Sequence, residues 1–314
     1  MAIIAVALSS AAGGFAYFLP AVQEAFDATS QAVVLPTPTP SPSTSTGTST
    51  TPTPVRPPGA FTVLLLGSDN DTKFHGSVLT QSMIVVRFNP GSKKVTMLSI
   101  PRDLWVPLST GGTAKIDGAY SYGGAGAAIA TVENNFGIQI DAYIWIGLAG
   151  LVDVIDRIGG IDLVTAAPVF DDFYPHDIGP GDPYQYLRVA VLAGPQHLDG
   201  THALQYVRSR HNDLQSDFGR SARQQIVLLA LRAKAAGISA EDVPALAAAL
   251  KGQIKTSMSL TRIATLLPLA GNVDIKNIQQ IVLLPPYTHE CGCAQGYVIP
   301  VWGAILPLVH QYFP

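Results

Sequence analysis

A run of Thr, Ser and Pro at residues 35–58 divides this chain of 314 residues into two unequal parts. Within it, residues 36–42 read PTPTPSP. Such a composition offers almost no apolar side chains to bury and favours extended polyproline conformations. The run therefore predicts a stalk, and we assign residues 21–58 to a Thr/Pro/Ser-rich linker. We expect one main folded domain at residues 59–314, because single hydrophobic cores usually serve about 100 to 250 residues.

The segment before the linker has the composition of a membrane anchor. Residues 2–19 carry no charge and are rich in Ala, Ile, Leu and Phe, over about the minimum length that spans a hydrocarbon core. A buried core helix and a cleaved signal peptide are the alternatives, but a signal peptide usually begins with Lys or Arg, and none precedes Glu24. We expect an anchor at residues 1–20 that has lost a cationic head. The folded domain would then lie outside the cytoplasm, since such stalks lift domains off an outer membrane face.

Charge and hydropathy limit the classes of partner. Only 13% of the residues are charged and mean hydropathy is +0.28, so the chain is more apolar than a soluble domain of this size requires. This excess indicates contact with lipid. The formal net charge of −3 provides no overall basic field, which argues against nucleic acid as a partner.

Short β-branched runs alternate with longer helical patterns after residue 59, which predicts the α/β class with a central mixed sheet packed between helices. The predicted strands lie at residues 61–66, 83–88, 95–100, 143–146 and 280–284. The predicted helices lie at residues 127–136, 201–207, 217–235 and 244–254.

Several common motifs are absent. The glycines at residues 123–126 lack the Gly-Lys-Ser/Thr ending of a P-loop and follow no strand, so we attribute them to tight helix packing. No Gly-x-Ser-x-Gly or His-Glu-x-x-His motif occurs, which argues against a serine hydrolase or a zinc enzyme. Cys291 and Cys293 have no zinc-like spacing; we expect two thiols in an exposed turn, with a local disulfide as the alternative.

Charged residues follow the predicted strands at the edge where open α/β sheets bind ligands. Asp69 ends the first strand, and the sequence SIPRD at residues 99–103 places Arg102 and Asp103 just after another. Arg102 offers a planar fork of donors suited to phosphate oxygens, although an Arg–Asp pair within one turn is the structural alternative. Lys115, in KIDGAY at residues 115–120, precedes a helix start and could join a phosphate site there.

An arginine-rich stretch is the most informative feature of the second half. Arg208, Arg210, Arg220 and Arg223, hereafter the Arg block, fall within residues 208–223. On a helix, Arg220, Arg223 and Gln224 share one face. Arg208 and Arg210 are two residues apart and cannot share a helical face, so we expect the chain to leave a helix near Arg208. Each charge-assisted hydrogen bond contributes about 1.5–3 kcal/mol, so several such side chains suit a diphosphate. We expect Arg220 and Arg223 to be exposed, so that replacing either by Ala leaves the fold intact.

These motifs, with LLGSD at residues 65–69 and LDGTHAL at residues 198–204, resemble the LytR-CpsA-Psr family over about residues 61–231. The resemblance implies a bitopic protein with an extracytoplasmic α/β/α sandwich that binds a polyprenyl diphosphate, its lipid lying in an apolar tunnel. It implies transfer of a phospho-glycan to a cell-wall acceptor such as a peptidoglycan hydroxyl, with release of polyprenyl phosphate and assistance from Mg²⁺. A non-catalytic polyprenyl-phosphate-binding scaffold or sensor, and a polyprenyl-diphosphate pyrophosphatase, are the alternatives.

The resemblance also implies site roles. The Arg block, Arg102, Lys115 and Gln224 would bind the diphosphate, with Arg102 and Arg220 also stabilising charge in the transfer. Asp69 would bind the metal, while the general base would be Asp69 or Asp103. We further expect a lipid-sized cavity that opens near Arg102.

The sequence departs from the family at the start of its second strand. Where relatives carry Arg-Ser/Thr-Asp-Thr, residues 79–82 read LTQS, so the neutral amide of Gln81 replaces a second metal-binding carboxylate. Gln81→Asp should then tighten Mg²⁺ binding, unless Asp71 or Asp103 already replaces the missing ligand. The spacing from Arg210 to Asp217 is also slightly long for the family.

Overall fold

The computed structural model describes residues 59–69, 79–176, 178, 181–182, 184–210, 216–235, 252–259, 262 and 273–314. The predicted anchor and linker lie outside the described residues. Of the helix predicted at residues 244–254, only residues 252–254 are described, and Ile254 begins a strand there. No helix in the described part of the chain is long and apolar enough to cross a membrane.

The described residues form two compact units. The sheet unit contains residues 59–66, 79–143 and 273–314, and the helix–hairpin unit contains residues 67–69 and 144–262 with the gaps given above. The strands are β1 (Phe61–Asp69), β2 (Leu79–Asn89), β3 (Lys94–Ile100), β4 (Trp105–Pro107), β5 (Thr113–Lys115), β6 (Ala142–Gly147), β7 (Ile161–Thr165), β8 (Val169–Pro175), β9 (Tyr186–Val191), β10 (Gly194–Leu198), β11 (Ile254–Thr256), β12 (Ile278–Val282), β13 (Thr288–Glu290) and β14 (Val298–Pro300). The helices are α1 (Gly118–Phe136), α2 (Leu148–Arg157), α3 (Gly200–Arg208), α4 (Ser216–Ala235) and α5 (Trp302–Tyr312).

The sheet unit contains the order β1-β2-β3-β12. β2 and β3 are antiparallel whereas β3 and β12 are parallel, so the sheet is mixed. Leu64, Leu66, Val85 and Leu98 are almost completely buried, which is why the apolar runs at these strands could be recognised. The predicted α/β class with a central mixed sheet is confirmed, although β12 ends at Val282, before the predicted end at residue 284.

Helix α1 begins nine residues before the predicted start at residue 127, and its glycines break it. Gly124 has a φ of 66°, which side chains with a Cβ rarely adopt. A Cβ on Gly123 would lie 2.6 Å from the Cβ of Ala127. The close approach at Gly123 agrees with the predicted tight packing, whereas Gly124 has open space around it and instead permits a kink inside the helix.

The helix–hairpin unit packs α2, α3 and α4 around a core that includes Ile155, Ile161, Leu204 and Val227. Antiparallel pairs β7/β10, β8/β9 and β6/β11 complete the described part of the unit. The helices predicted at residues 201–207 and 217–235 and the strand predicted at residues 143–146 are confirmed. The core therefore fixes the two helices that carry the Arg block.

Cys291 and Cys293 form a disulfide between β13 and β14. The expectation of two free thiols was wrong. The two residues are two positions apart in a turn between antiparallel strands, and the turn brings their Cα atoms to 5.2 Å, within the range that a disulfide bridges.

Candidate active site

Backbone hydrogen bonds hold three separate segments together at the end of β3. After Pro101 the chain turns, and Leu104 N donates to Pro101 O at 3.1 Å. Asp117 N then donates to the carbonyl of Arg102 at 3.1 Å, and Thr80 donates to the carbonyl of Asp117 from both its N and its Oγ1, at 3.2 and 3.1 Å. The start of β2, the turn after β3 and the start of α1 therefore meet at one place in the sheet unit.

Asp103 is the centre of the charged cluster at this place. Its Oδ1 accepts a hydrogen bond from Lys115 Nζ at 2.7 Å, and its Oδ2 accepts one from Arg102 Nε at 3.3 Å. The Asp103 side chain is only 7% exposed, compared with 14% for Arg102 and 32% for Lys115. One buried carboxylate thus orients two cations that both remain partly accessible. The Arg102–Asp103 pair named as the structural alternative is present, whereas phosphate binding by Arg102 stays a prediction.

Gln81 contacts the same guanidinium. Arg102 Nη1 donates to Gln81 Oε1 at 2.5 Å, while Nε of the same group points to Asp103. The residue that departs from the family pattern is therefore next to a predicted phosphate ligand. Its amide oxygen fixes the plane of the guanidinium without adding a negative charge.

Asp117 is a charged residue of this cluster that the sequence analysis did not single out. It is 6% exposed, and burial raises its pKa from 3.8 to about 6, with Asp103 also raising the pKa while Arg102 and Lys115 lower it. The available sequence signal was its place between a buried Ile116 and the Gly118 that begins α1, which turns the side chain inward. A carboxyl that titrates near neutral pH beside two cations makes the charge of the cluster depend on pH.

The described residues do not by themselves form a cage for Mg²⁺. Within them, no group of three or more His, Cys, Asp or Glu side chains is placed to hold a metal ion. Both oxygens of Asp103 already accept hydrogen bonds from cations, and the oxygen of Gln81 accepts one from Arg102. Asp69 is the last residue of β1, but its side chain lies outside the described part of the chain.

The Arg block lies in the helix–hairpin unit, around the end of α3. Asp199 caps the start of that helix, since its Oδ1 accepts from His202 N at 2.8 Å, and the last residue of the helix is Arg208. Ser209 has φ −54° and ψ 135°, so the chain leaves the helix there, as the two-residue spacing of Arg208 and Arg210 predicted. Gly200 is required near the helix start, because a Cβ there would lie 2.3 Å from the carbonyl oxygen of Val152 in α2.

Arg223 binds the end of α3 from α4. Its Nε donates to the carbonyl of Tyr206 at 2.7 Å, and its Nη2 donates to the carbonyl of Ser209 at 2.6 Å. It is 7% exposed and Arg220 is 4% exposed, so the expectation that both would be exposed was wrong. The last carbonyls of a helix have no partner within the helix, and an arginine can satisfy them. Arg223 therefore fixes the segment that carries Arg208 and Arg210.

Arg208 and Arg210 have different surroundings. Arg208 lies over the ring of Tyr174, with its Cζ 5.9 Å from the ring centroid, and lines an apolar cavity of about 50 Å³. That volume is far below the 300–1,000 Å³ typical of ligand pockets, so the cavity does not accommodate a polyprenyl chain. The Arg210 side chain is exposed, and its backbone N donates to Oδ2 of the buried Asp171 at 2.9 Å. Asp171 was missed because its partner is 39 residues away.

The predicted site residues therefore form two clusters, one in each unit. In the sheet unit, the structure brings together Gln81, Arg102, Asp103 and Lys115 and adds Asp117. In the helix–hairpin unit, it gathers Arg208, Arg210 and Arg223 at the end of α3, with Arg220 buried and Gln224 half-buried on α4. The cavity expected near Arg102 stays a prediction.

These features define an α/β domain with a mixed sheet, two cations bound by one buried carboxylate after β3, and arginines on two neighbouring helices. The sequence matches the profile of the LytR_cpsA_psr family over residues 33–294. The chain belongs to that family, as the motifs predicted.

Two curated relatives show how far the similarity extends. Biofilm regulatory protein A of Streptococcus mutans serotype c is 38% identical over 180 residues, which cover 54% of this chain and 42% of that protein. The polyisoprenyl-teichoic acid–peptidoglycan teichoic acid transferase TagV of Bacillus subtilis strain 168 is 38% identical over 174 residues, again 54% of this chain and 42% of that protein. The chain spans about half the length of the curated relatives it matches.

Solved structures show the same fold over more of the chain. The crystal structure of B. subtilis TagV has a TM-score of 0.66 and 29% identity, covering 81% of this chain and 95% of that one. The structure of TagT bound to LIIa-WTA has a TM-score of 0.65 and 26% identity, covering 81% of this chain and 89% of that one. The α/β arrangement described above is therefore the fold of these proteins.

Proposed function

We propose that this chain is a phosphotransferase that moves a glycopolymer from a polyprenyl-diphosphate carrier to a cell-wall acceptor such as a peptidoglycan hydroxyl. Its relatives TagV and TagU carry the name polyisoprenyl-teichoic acid–peptidoglycan teichoic acid transferase, which supports this class of substrate and acceptor. The reaction forms one P–O bond to the acceptor and breaks the P–O bond to the leaving polyprenyl phosphate, while the acceptor proton passes to a base.

The observation that carries the proposal is the orientation of Arg102 and Lys115 by the buried Asp103. Phosphoryl transfer needs charge stabilisation on the transferred group and on the leaving phosphate, and cations held in place before the reaction provide it. In this proposal Asp103 is a positioning residue, because both of its oxygens are already taken by cations.

The proposal also includes the Arg block, which the family resemblance assigns to diphosphate binding. Arg208, Arg210 and Arg220, with Gln224, form the binding set in this proposal, while Arg223 holds the end of α3 in place. Removing Arg223 would disturb Arg208 and Arg210 through the backbone that carries them. The distinction matters because a residue that positions others affects stability as well as binding.

The proposal also states where the reaction takes place and how Mg²⁺ takes part. Residues 1–20 would anchor the chain in the membrane, residues 21–58 would form a stalk, and the α/β/α sandwich would lie outside the cytoplasm with the lipid in an apolar tunnel. The Cys291–Cys293 disulfide supports an oxidising compartment. Mg²⁺ would arrive mainly with the phosphates of the substrate, as this ion commonly binds, with Asp69 as its protein carboxylate.

The proposal can be tested with the full chain in detergent, a radiolabelled lipid diphosphate-linked glycopolymer and peptidoglycan fragments. The expected products are polyprenyl monophosphate and a glycan–peptidoglycan phosphodiester. Arg102→Ala should abolish both products, whereas Arg188→Ala should change neither, because Arg188 is 84% exposed and its ion pair in the described part of the chain is with Asp172 on the neighbouring strand. Release of polyprenyl phosphate without the phosphodiester would indicate a pyrophosphatase. Tight binding with no product would indicate a scaffold or sensor, and either result would overturn the transferase.

A further inference from the structure

A polar cleft of about 510 Å³ lies at the opposite end of β3 from Arg102. It surrounds the start of β3 at Lys94, whereas Arg102 follows the end of that strand at Ile100. A seven-residue strand spans about 20 Å, so the cleft is separate from the charged cluster around Asp103. Its volume is that of an ordinary ligand pocket, which is typically about 300–1,000 Å³.

The strand register builds the floor of the cleft. Arg87 on β2 pairs with Thr96 on β3, and Thr96 pairs with Gln279 on β12, so these three residues form one row across the sheet. The neighbouring row contains Asn89 opposite Lys94. Side chains in adjacent rows two residues apart project from the same face of a sheet. One face of β2, β3 and β12 thus supplies amide, hydroxyl and cationic groups to the same space.

The charged side chains that line the cleft are all cationic. Its lining contains Arg87, Lys94 and Lys276, and it contains no Asp or Glu. Arg87 is 5% exposed and donates from Nη1 to an oxygen of the Pro314 carboxylate at 2.7 Å, so its guanidinium is fixed in the wall and its charge is offset there. Lys94 and Lys276 are exposed, and within the described residues neither forms an ion pair with a carboxylate. A concave surface lined by cations focuses a positive potential on its interior.

The uncharged groups of the cleft indicate which kind of anion would fit. Asn277, Gln279 and Gln311 offer both amide donors and carbonyl acceptors, and Tyr312 adds an aromatic ring with a hydroxyl. Such groups match the hydroxyls and ring faces of a sugar or polyol, whereas an inorganic anion would use only the cations. The end of α5 near Tyr312 also presents carbonyl acceptors, which suit a hydroxyl better than a bare anion.

We propose that this cleft is a second binding site, which takes a phosphate-bearing polyol or sugar segment through Lys94 and Lys276 on the phosphate and the surrounding amides on the hydroxyls. The inference does not depend on the transfer reaction, because it rests on residues at the other end of the strand. A chain with this site would hold an anionic glycan at a point remote from the cluster around Arg102.

The test is a calorimetric titration of the full chain with a synthetic glycerol-phosphate oligomer. Replacing both lysines, Lys94→Gln with Lys276→Gln, should weaken binding at least about tenfold, because each removes a charge-assisted contact. The matched control Lys234→Gln removes a surface charge from α4, where Lys234 lies 3.7 Å from Asp162, and should leave the affinity within about twofold.

Three other ligands complete the experiment. Inorganic phosphate should bind more weakly than the oligomer, and a neutral oligosaccharide of the same length should not bind detectably. Vesicles of phosphatidylglycerol distinguish a membrane surface from a soluble glycan. Equal affinity of the double variant and the wild type for the oligomer would overturn the proposal, as would binding to the vesicles alone.

Discussion

Arg102 and Gln81 are joined by a hydrogen bond of 2.5 Å between Nη1 and Oε1. The position at which this chain departs from the family pattern is therefore part of the surroundings of a predicted phosphate ligand. A carboxylate at position 81 would meet Arg102 directly. It would also have a second oxygen that a metal ion could use.

We expect Gln81→Asp to tighten Mg²⁺ binding by about tenfold when a lipid diphosphate is present, because Mg²⁺ prefers charged oxygen ligands. Calorimetric titration of Mg²⁺ into the complex measures this. Gln81→Asn is the matched control, since it has the length of Asp without the charge and should not tighten binding. If the Asp and Asn variants bind Mg²⁺ equally, Arg102 has taken up the new carboxylate or another Asp already serves the metal.

Arg102→Lys should lower the rate of transfer by about a hundredfold, because an ammonium cannot reproduce the fixed fork that contacts Gln81 and Asp103 together. The thermal midpoint of the variant should stay close to that of the wild type, since Arg102 is partly exposed. Arg188→Lys makes the same chemical change at an exposed position and should leave the rate unaltered. A fully active Arg102→Lys variant would show that only the charge at this position is needed.

Asp117→Asn should make the free energy of unfolding less dependent on pH. The pKa of Asp117 is raised from 3.8 to about 6, so between these values the folded chain binds more protons at this group than the unfolded chain does. The contribution of this group to stability therefore falls as pH rises through that window, by at most about 3 kcal/mol.

Asn has no charge to bury, so the stability of Asp117→Asn relative to the wild type should increase from pH 4 to pH 6.5 and then remain constant. Urea unfolding at intervals between pH 4 and pH 7.5 gives the difference directly. A difference that does not vary with pH would mean that Asp117 is not the titrating group.

Arg223→Ala should destabilise the fold by about 2–4 kcal/mol, because it leaves two buried carbonyls without a charged donor. Arg210→Ala is the matched control. Its side chain is exposed and its backbone N, which binds Asp171, remains, so the expected loss is below about 0.5 kcal/mol. Chemical denaturation of both variants tests the contrast, and similar losses would show that Arg223 has no special structural role.

Local patterns in the sequence were sufficient to predict several strands, the end of one helix and the family. The apolar runs of β1, β2 and β3 predict buried strands, because a strand covered on both faces needs continuous apolar side chains. The spacing of Arg208 and Arg210 predicted the end of α3, and the separated motifs predicted the family. These features depend on neighbours along the chain, so they can be read without the fold.

Only the tertiary structure decided which charged side chains are buried against other parts of the fold and which stay exposed. Arg223 and Arg210 look equivalent in sequence, yet one is buried against carbonyls 14 and 17 residues away and the other is exposed. Lys115 binds Asp103 from 12 residues away, and the rise in the pKa of Asp117 depends mainly on its burial. Burial and long-range pairing are properties of the packed chain, because the energy of a charge depends on what surrounds it and not on its sequence neighbours.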